Sequence, residues 1–106
     1  MNYRYMRVLV FFDLPVTTTA GRRNYIQFRK FLIKDGFFMM QESVYCKLAQ
    51  NMNAANAIID HLRRNKPTEG LVQALVITEK QYSNMEMIVG KKPSDVINSS
   101  ERFVVI

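Results

Sequence analysis

The stretch that most constrains the fold is the apolar run VLVFF at residues 8–12, which stops at Asp13 and is followed by Leu14 and Pro15. A run rich in Val and Phe that a proline closes is typical of a β-strand. Because the run is nearly continuous, both faces of this strand should be covered. We therefore expect a central strand over residues 5–14 with a carboxylate at its tip.

The rest of the chain predicts two amphipathic helices and further strands. Apolar residues recur at helical spacing between 25 and 32, possible N-caps lie at 17–19 and Gly36 fits a C-cap glycine, which predicts a helix over 18–35. A second helix begins at Asn51 or Asn53 and ends at Lys66–Pro67. The remaining strand segments are 37–41, 43–48 (after a bend near Gln41–Glu42), 71–78 and 85–89.

The element order β-α-β-β-α-β predicts an α+β, ferredoxin-like fold with extra C-terminal strands. Residues 1–89 form this domain, and residues 90–106 are expected to be a polar linker and a last strand that contacts a neighbouring subunit. Both helices pack on one face of such a sheet, yet the first and fourth strands are apolar on both faces. A second copy of the same sheet would cover the other face, so we expect a homodimer.

Charge and cysteine content narrow the class of partner. The chain of 106 residues carries 15 Lys and Arg against 9 Asp and Glu, a formal net charge of +6, which favours nucleic acid as a partner ahead of anionic membrane. No apolar run approaches the ~18 residues of a spanning helix, and no signal-peptide pattern is present. The single cysteine, Cys46, suits a reducing cytosol, so a cytoplasmic protein is expected.

The sequence alone allows two interpretations of Asp13. It can be an ordinary turn or helix-cap aspartate, or a metal ligand and catalytic group at a strand end, where functional sites are common. Magnesium binds through one or two carboxylates together with water and phosphate oxygens. A two-fold dimer would turn one aspartate per chain into a pair if Asp13 lies near the axis.

The segment GRRNYIQFRKFLIK at residues 21–34 contains no acid. Its basic residues fall within about 140° of one another on a helical wheel, although two isoleucines lie among them. They are Arg22, Arg23, Arg29, Lys30 and Lys34. A solvated helix face is the ordinary explanation of such a run, but a face stabilised by its own charges would alternate in sign. A stripe of one sign favours contact with phosphates.

Several chemistries are excluded by residue types and spacing. Ser43 has no histidine at a hydrolase spacing, since His61 is the only histidine. One Cys and one His cannot supply four zinc ligands. The sequence has neither a phosphate-binding glycine loop nor the aromatic signature of RNA-recognition domains. His61 is therefore interpreted as a partly exposed structural residue and Cys46 as inert core.

Four segments together resemble the small CRISPR-associated adaptation proteins of type II-like systems, the partners of the spacer integrase. They are YMRVLVFFDLP, the basic helix with FRKFL, GFFMMQESVYCKL and LVITEKQYSNMEMIVG. The F-D-L-P strand end and the G-F-x-x-x-Q-x-S-V-Y segment are the most specific in that order. The resemblance spans residues 3–89.

The resemblance implies a ferredoxin-like homodimer that lies between two integrase dimers and helps to hold a protospacer duplex. It also implies, for some members, nuclease activity that depends on Mg²⁺ or another divalent metal, with Asp13 as metal ligand and catalytic group. Relatives often have Tyr before this aspartate, where this chain has Phe12, and Ser43 matches the Ser of the Q-x-S-V segment. Two hypotheses stay open: a double-stranded-DNA-binding scaffold, and a metal-dependent endonuclease acting on RNA or DNA.

Overall fold

The computed structural model describes residues 5–90 of the 106. Its elements, in chain order, are β1 Met6–Asp13, α1 Thr19–Lys34, β2 Phe38–Gln41, β3 Val44–Ala49, α2 Met52–Arg64, β4 Leu71–Thr78 and α3 Glu79–Ser83. The strands form one antiparallel sheet in the order β2-β3-β1-β4. The predicted ferredoxin-like architecture is confirmed, with β1 at an interior position of the sheet.

The helix ends follow the predicted capping chemistry. Thr18 caps α1, its hydroxyl accepting from the Gly21 N–H at 2.9 Å, and Asn51 caps α2 through the Ala54 N–H at 2.8 Å. Gly36 has φ +98°, the left-handed conformation expected of a glycine that ends a helix. The bend predicted near Gln41–Glu42 is a tight turn between β2 and β3, with a register irregularity between Met39 and Gln41.

The two long helices, α1 and α2, pack on one face of the sheet and form the core with it. Val8, Val10 and Phe12 of β1 point to this side, where they meet the buried side chains of the helices and of β3. Those partners are Phe28, Leu32, Ala55, Leu62, Tyr45 and Ala49. Alternation along a strand therefore directs Leu9, Phe11 and Asp13 to the opposite side of the sheet.

That opposite side, which we call the open face, is apolar and only partly covered. Cross-strand register aligns Phe38, Cys46, Leu9 and Leu75 in one row that crosses all four strands. Leu9 is buried, whereas Phe38 and Leu75 are exposed, as are Leu48 and Leu71 elsewhere on this face. The covering partner was predicted from the apolar residues on both faces of the first and fourth strands, and the exposed Leu71 and Leu75 of β4 belong to that pattern.

The predicted strand at 85–89 is wrong. Instead β4 leads directly into α3, which begins with a capping box: the Thr78 hydroxyl accepts from the Gln81 N–H, and the Gln81 side chain accepts from the Thr78 N–H. Residues 85–89 pair with no strand in the described part of the chain, and Ile88 and Val89 are almost fully exposed. An apolar segment becomes a strand only where a neighbour satisfies its backbone groups.

A polar cluster fixes α3 to one end of the open face. The Arg7 guanidinium donates to both carboxylate oxygens of Glu79, at 2.7 and 3.1 Å, and lies 4.2 Å from the centre of the Tyr82 ring. Burial raises the pKa of the Cys46 thiol beside it, as expected for an inert core cysteine.

Within residues 5–90, no helix is both long and apolar enough to cross a membrane. The linker and last strand predicted for 90–106 lie outside the described residues, apart from Gly90.

Candidate functional site

Asp13 is the last residue of β1 and its side chain is exposed. Asp13 pairs with Leu71 of β4 on one side of the strand. On the other side of β1, the N–H of the preceding residue, Phe12, donates to the Ser43 carbonyl at 3.1 Å. Gly70 closes the end of the strand with φ +95°, and a Cβ there would lie 2.9 Å from the Asp13 carbonyl oxygen. The chain thus brings Asp13 and Ser43 to the same end of the sheet.

The Asp13 carboxylate has no charged partner among residues 5–90. It does not cap α1, because Thr18 does. No Lys, Arg or His among residues 5–90 lies within salt-bridge distance of it. It shares the open face with Leu9 and Phe11, so a second sheet packed on that face would lie on the same side as this carboxylate.

Phe12 lies on the other side of β1 from Asp13. Its ring is buried in the core, edge-on to Phe28 at 5.3 Å and against Tyr45 at 5.6 Å. The side chain that precedes the aspartate therefore packs under α1 in the structure, and its contribution at this strand end is the backbone bond to Ser43.

The donors within residues 5–90 of one chain do not make a metal site on their own. Among the described residues, no three His, Cys, Asp or Glu side chains are grouped closely enough to hold an ion. One carboxylate is the lower limit for magnesium, which would need its remaining ligands from water, from phosphate oxygens or from a second carboxylate. Among residues 5–90, a divalent ion at Asp13 would therefore take its further ligands from water, from a phosphate or from a second copy of Asp13.

The five predicted nucleic-acid-binding residues are all exposed on α1. Arg22 is fixed near the β1–α1 loop by donating to the Val16 carbonyl at 3.2 Å, and Arg29 donates to the buried Tyr45 hydroxyl at 3.0 Å. Arg23, Lys30 and Lys34 have no acidic partner within residues 5–90. No acid of the described residues neutralises the stripe, and hydrogen bonds hold Arg22 and Arg29 in place.

Further basic residues, which were not predicted as nucleic-acid-binding from the sequence, lie at the C-terminal end of α2. Arg64 and Lys66 are exposed where α2 ends, while Arg63 is held by Asp60 at 2.6 Å. The run RRNK at 63–66 was the available signal. These residues add to a cationic surface on the helical side of the molecule.

The acid at the end of α1 does not offset that surface. The Asp35 carboxylate is bridged by His61 at 3.3 Å and by Lys47 at 3.7 Å, and the Lys47 amine also donates to the Asp35 carbonyl. The structure thus places His61 in a structural contact, and its ring also packs on Phe31 with centroids 5.3 Å apart.

Comparison with known proteins gives one consistent result. The family described as "CRISPR associated protein Cas2" matches residues 6–85. A protein of Treponema denticola named "CRISPR-associated endoribonuclease Cas2" is 52% identical over 101 residues, covering 95% of this chain and 100% of the relative. Proteins with the same name from Ligilactobacillus salivarius and Lacticaseibacillus rhamnosus are each 43% identical over the same shares.

These matches run from the first strand through α3, so they include Asp13, the basic helix and the segment around Ser43. The resemblance drawn from four short segments is confirmed, and this chain is a member of the CRISPR-associated Cas2 family.

Proposed function

We propose that the protein acts in CRISPR adaptation as a homodimeric scaffold that binds double-stranded DNA and bridges integrase dimers. The observation that carries this proposal is the stripe of exposed cations on α1, which no acid among the described residues balances. Such a surface is suited to phosphates. The bridging role follows from the family resemblance.

The stripe is long enough to contact several successive phosphates of a duplex. Arg22 and Lys34 are separated by about 18 Å along the helix axis, at ~1.5 Å per residue. That length corresponds to about five base pairs at ~3.4 Å each. Two copies of α1 on the outer sides of a dimer would extend the cationic track.

The open face supports the dimer. Leu75 and Leu71 are about half exposed, at 51% and 53%, and Leu9 and Phe11 lie between them and β3. A second copy of this sheet has the same apolar pattern, and a two-fold axis would place like surfaces together. Ile88 and Val89, exposed after α3, offer further apolar area to a neighbour.

A second candidate function is metal-dependent cleavage of RNA or DNA, because the relatives above are named endoribonucleases. Asp13 favours it, since the carboxylate is exposed, has no basic partner within residues 5–90 and is directed to the open face. Asp13 from each of two copies would hold the ion, which as a Lewis acid would stabilise negative charge on the scissile phosphate. Within residues 5–90, Asp13 belongs to no group of three or more His, Cys, Asp or Glu side chains that could hold an ion, which favours the scaffold as the main role.

Reversal of the two arginines at the start of α1 tests the scaffold. Arg22→Glu with Arg23→Glu should weaken duplex binding and reduce the slope of log affinity against log salt by about 0.9 per lost phosphate contact. Fluorescence anisotropy over a salt series measures both quantities. An unchanged slope would show that these arginines do not contact phosphates.

Asp13→Ala separates the two candidate functions. If the chain is a nuclease through this residue, the variant loses divalent-metal-dependent cleavage of labelled RNA and DNA. Under the scaffold proposal the same variant still binds duplex and supports spacer acquisition in cells. Loss of acquisition by a folded, dimeric variant would contradict the scaffold role.

A further inference from the structure

A groove lies on the helical side of the molecule, between α1 and the segment that follows α2. Its volume is about 260 Å³. Asn24, Gln27, Phe28 and Phe31 line it on the α1 side, and residues 65–68 line it on the other. Pockets for drug-sized ligands have volumes of about 300–1,000 Å³. The groove therefore suits a smaller group, such as a single ring system.

The floor of the groove is aromatic. Phe28 is buried and stacks on Phe31, with centroids 6.1 Å apart and an angle of 26° between the rings. Phe31 itself is only partly buried and faces the groove. Proteins that hold unpaired bases commonly do so on exposed aromatic rings.

The rim carries carboxamides with bonding capacity left over. The Asn24 amide donates to the Thr68 hydroxyl at 3.1 Å, and the Asn65 amide donates to the His61 carbonyl at 2.9 Å. Each carboxamide has two N–H donors and an oxygen with two lone pairs, so one bond leaves most of its capacity free. Together with Gln27, these groups present both donors and acceptors, as the edge of a nucleobase does.

Cations flank the groove on both sides. At about 100° per residue, Arg23, Lys30 and Lys34 lie within about 60° of Gln27 around α1. Lys66 belongs to the opposite wall, next to the exposed end of α2. A polynucleotide could place phosphates on these cations while one base enters between them.

We propose that this groove binds one unstacked base of a single-stranded polynucleotide. The aromatic floor would contact the base, the carboxamides its polar edge and the flanking cations the adjacent phosphates. The proposal rests on the proposed nucleic-acid-binding function and adds a second binding mode to it. A duplex cannot place a whole base in this groove, because its bases are stacked and paired.

Two substitutions test the groove without altering the cations. Phe31→Leu keeps an apolar side chain of similar bulk but removes the ring, and Gln27→Ala changes an exposed helical position. Binding of a short labelled DNA single strand, its duplex and an abasic strand of equal length is measured with EDTA present. Ile33→Ala is the control, since Ile33 is exposed on α1 but does not line the groove.

The wild-type protein should prefer the single strand to the abasic strand. The Phe31→Leu variant should bind the single strand roughly five-fold more weakly or worse, because base–aromatic stacking is lost. Affinity for duplex and for the abasic strand should not change, nor should the salt slope, because no phosphate contact is lost. Gln27→Ala should act in the same direction with a smaller loss, and thermal melting checks that both variants are folded.

Two results would overturn this assignment. Equal losses for single strand and duplex would make the groove part of the phosphate surface, and folded variants with unchanged single-strand affinity would exclude a base from it. Failure of the wild-type protein to bind either form would instead contradict the proposed function itself. The Arg22→Glu and Arg23→Glu reversal should weaken binding of both single strand and duplex. Failure of the groove proposal is therefore distinguishable from failure of the proposed nucleic-acid-binding function.

Discussion

Gly21 controls how closely α1 approaches the strand end that carries Asp13. A Cβ at this position would lie 2.5 Å from the Pro15 carbonyl oxygen and 3.1 Å from the Thr18 hydroxyl. The close approach allows Thr18 to cap the helix directly after the β1–α1 loop. A residue without a side chain therefore sets the position of Arg22 and Arg23 relative to the sheet.

Gly21→Ala should lower the free energy of unfolding by about 1–3 kcal/mol, because the backbone must shift to admit the methyl group. Helix propensity alone predicts the opposite sign, a gain of up to about 1 kcal/mol. Urea unfolding measures the difference, with Gln27→Ala, exposed on the same helix, expected to stay within about 0.5 kcal/mol of wild type. A variant as stable as the wild type would refute the steric account.

Among the elements, α3 depends most on a single ion pair. The hydrogen bond from Arg7 is the main cause that lowers the pKa of the Glu79 carboxyl. The same contact raises the pKa of Arg7, while burial raises that of Tyr82. A lowered carboxyl pKa means that the pair stabilises the folded state fully above the ordinary carboxyl pKa and less as pH falls through the lowered value.

Glu79→Gln should therefore reduce stability near neutral pH by up to about 1 kcal/mol, a modest value because the pair is partly exposed to solvent. The difference from wild type should shrink as the pH falls below the ordinary carboxyl range. Urea unfolding across pH measures it, with Glu69→Gln as the matched control at an exposed position. A difference that stays constant with pH would show that Glu79 does not act through its charge.

Local patterns predicted most elements, and the exceptions have physical causes. Periodicity and caps sufficed for both long helices, since each cap lies within three residues of the N–H it binds. The strand expected at 85–89 was wrong because strand formation depends on a partner that an apolar pattern does not supply. The groove was missed because its walls come from distant parts of the chain, such as Asn24 and Thr68.

At the scale of the whole molecule, the two faces have different roles in our account. The helical side carries cations that no acid within residues 5–90 pairs with, and the open face carries exposed apolar side chains and Asp13. If two open faces pack together, the cations remain outside for nucleic acid and the two Asp13 residues lie on the shared side. Both proposed functions, scaffold and nuclease, depend on this arrangement.

Sedimentation equilibrium of the purified protein over a dilution series tests that arrangement most directly. The wild type should have twice the mass of one chain, and Leu75→Lys, in the apolar row of the open face, should sediment as a folded single chain. Met39→Lys is the matched control: Met39 is exposed to a similar degree, 53% against 51%, but pairs with Tyr45 on the helical side, so this variant should stay dimeric. A wild-type protein that is folded, monomeric and still binds duplex would contradict the account, as would a Leu75→Lys variant that remains a dimer.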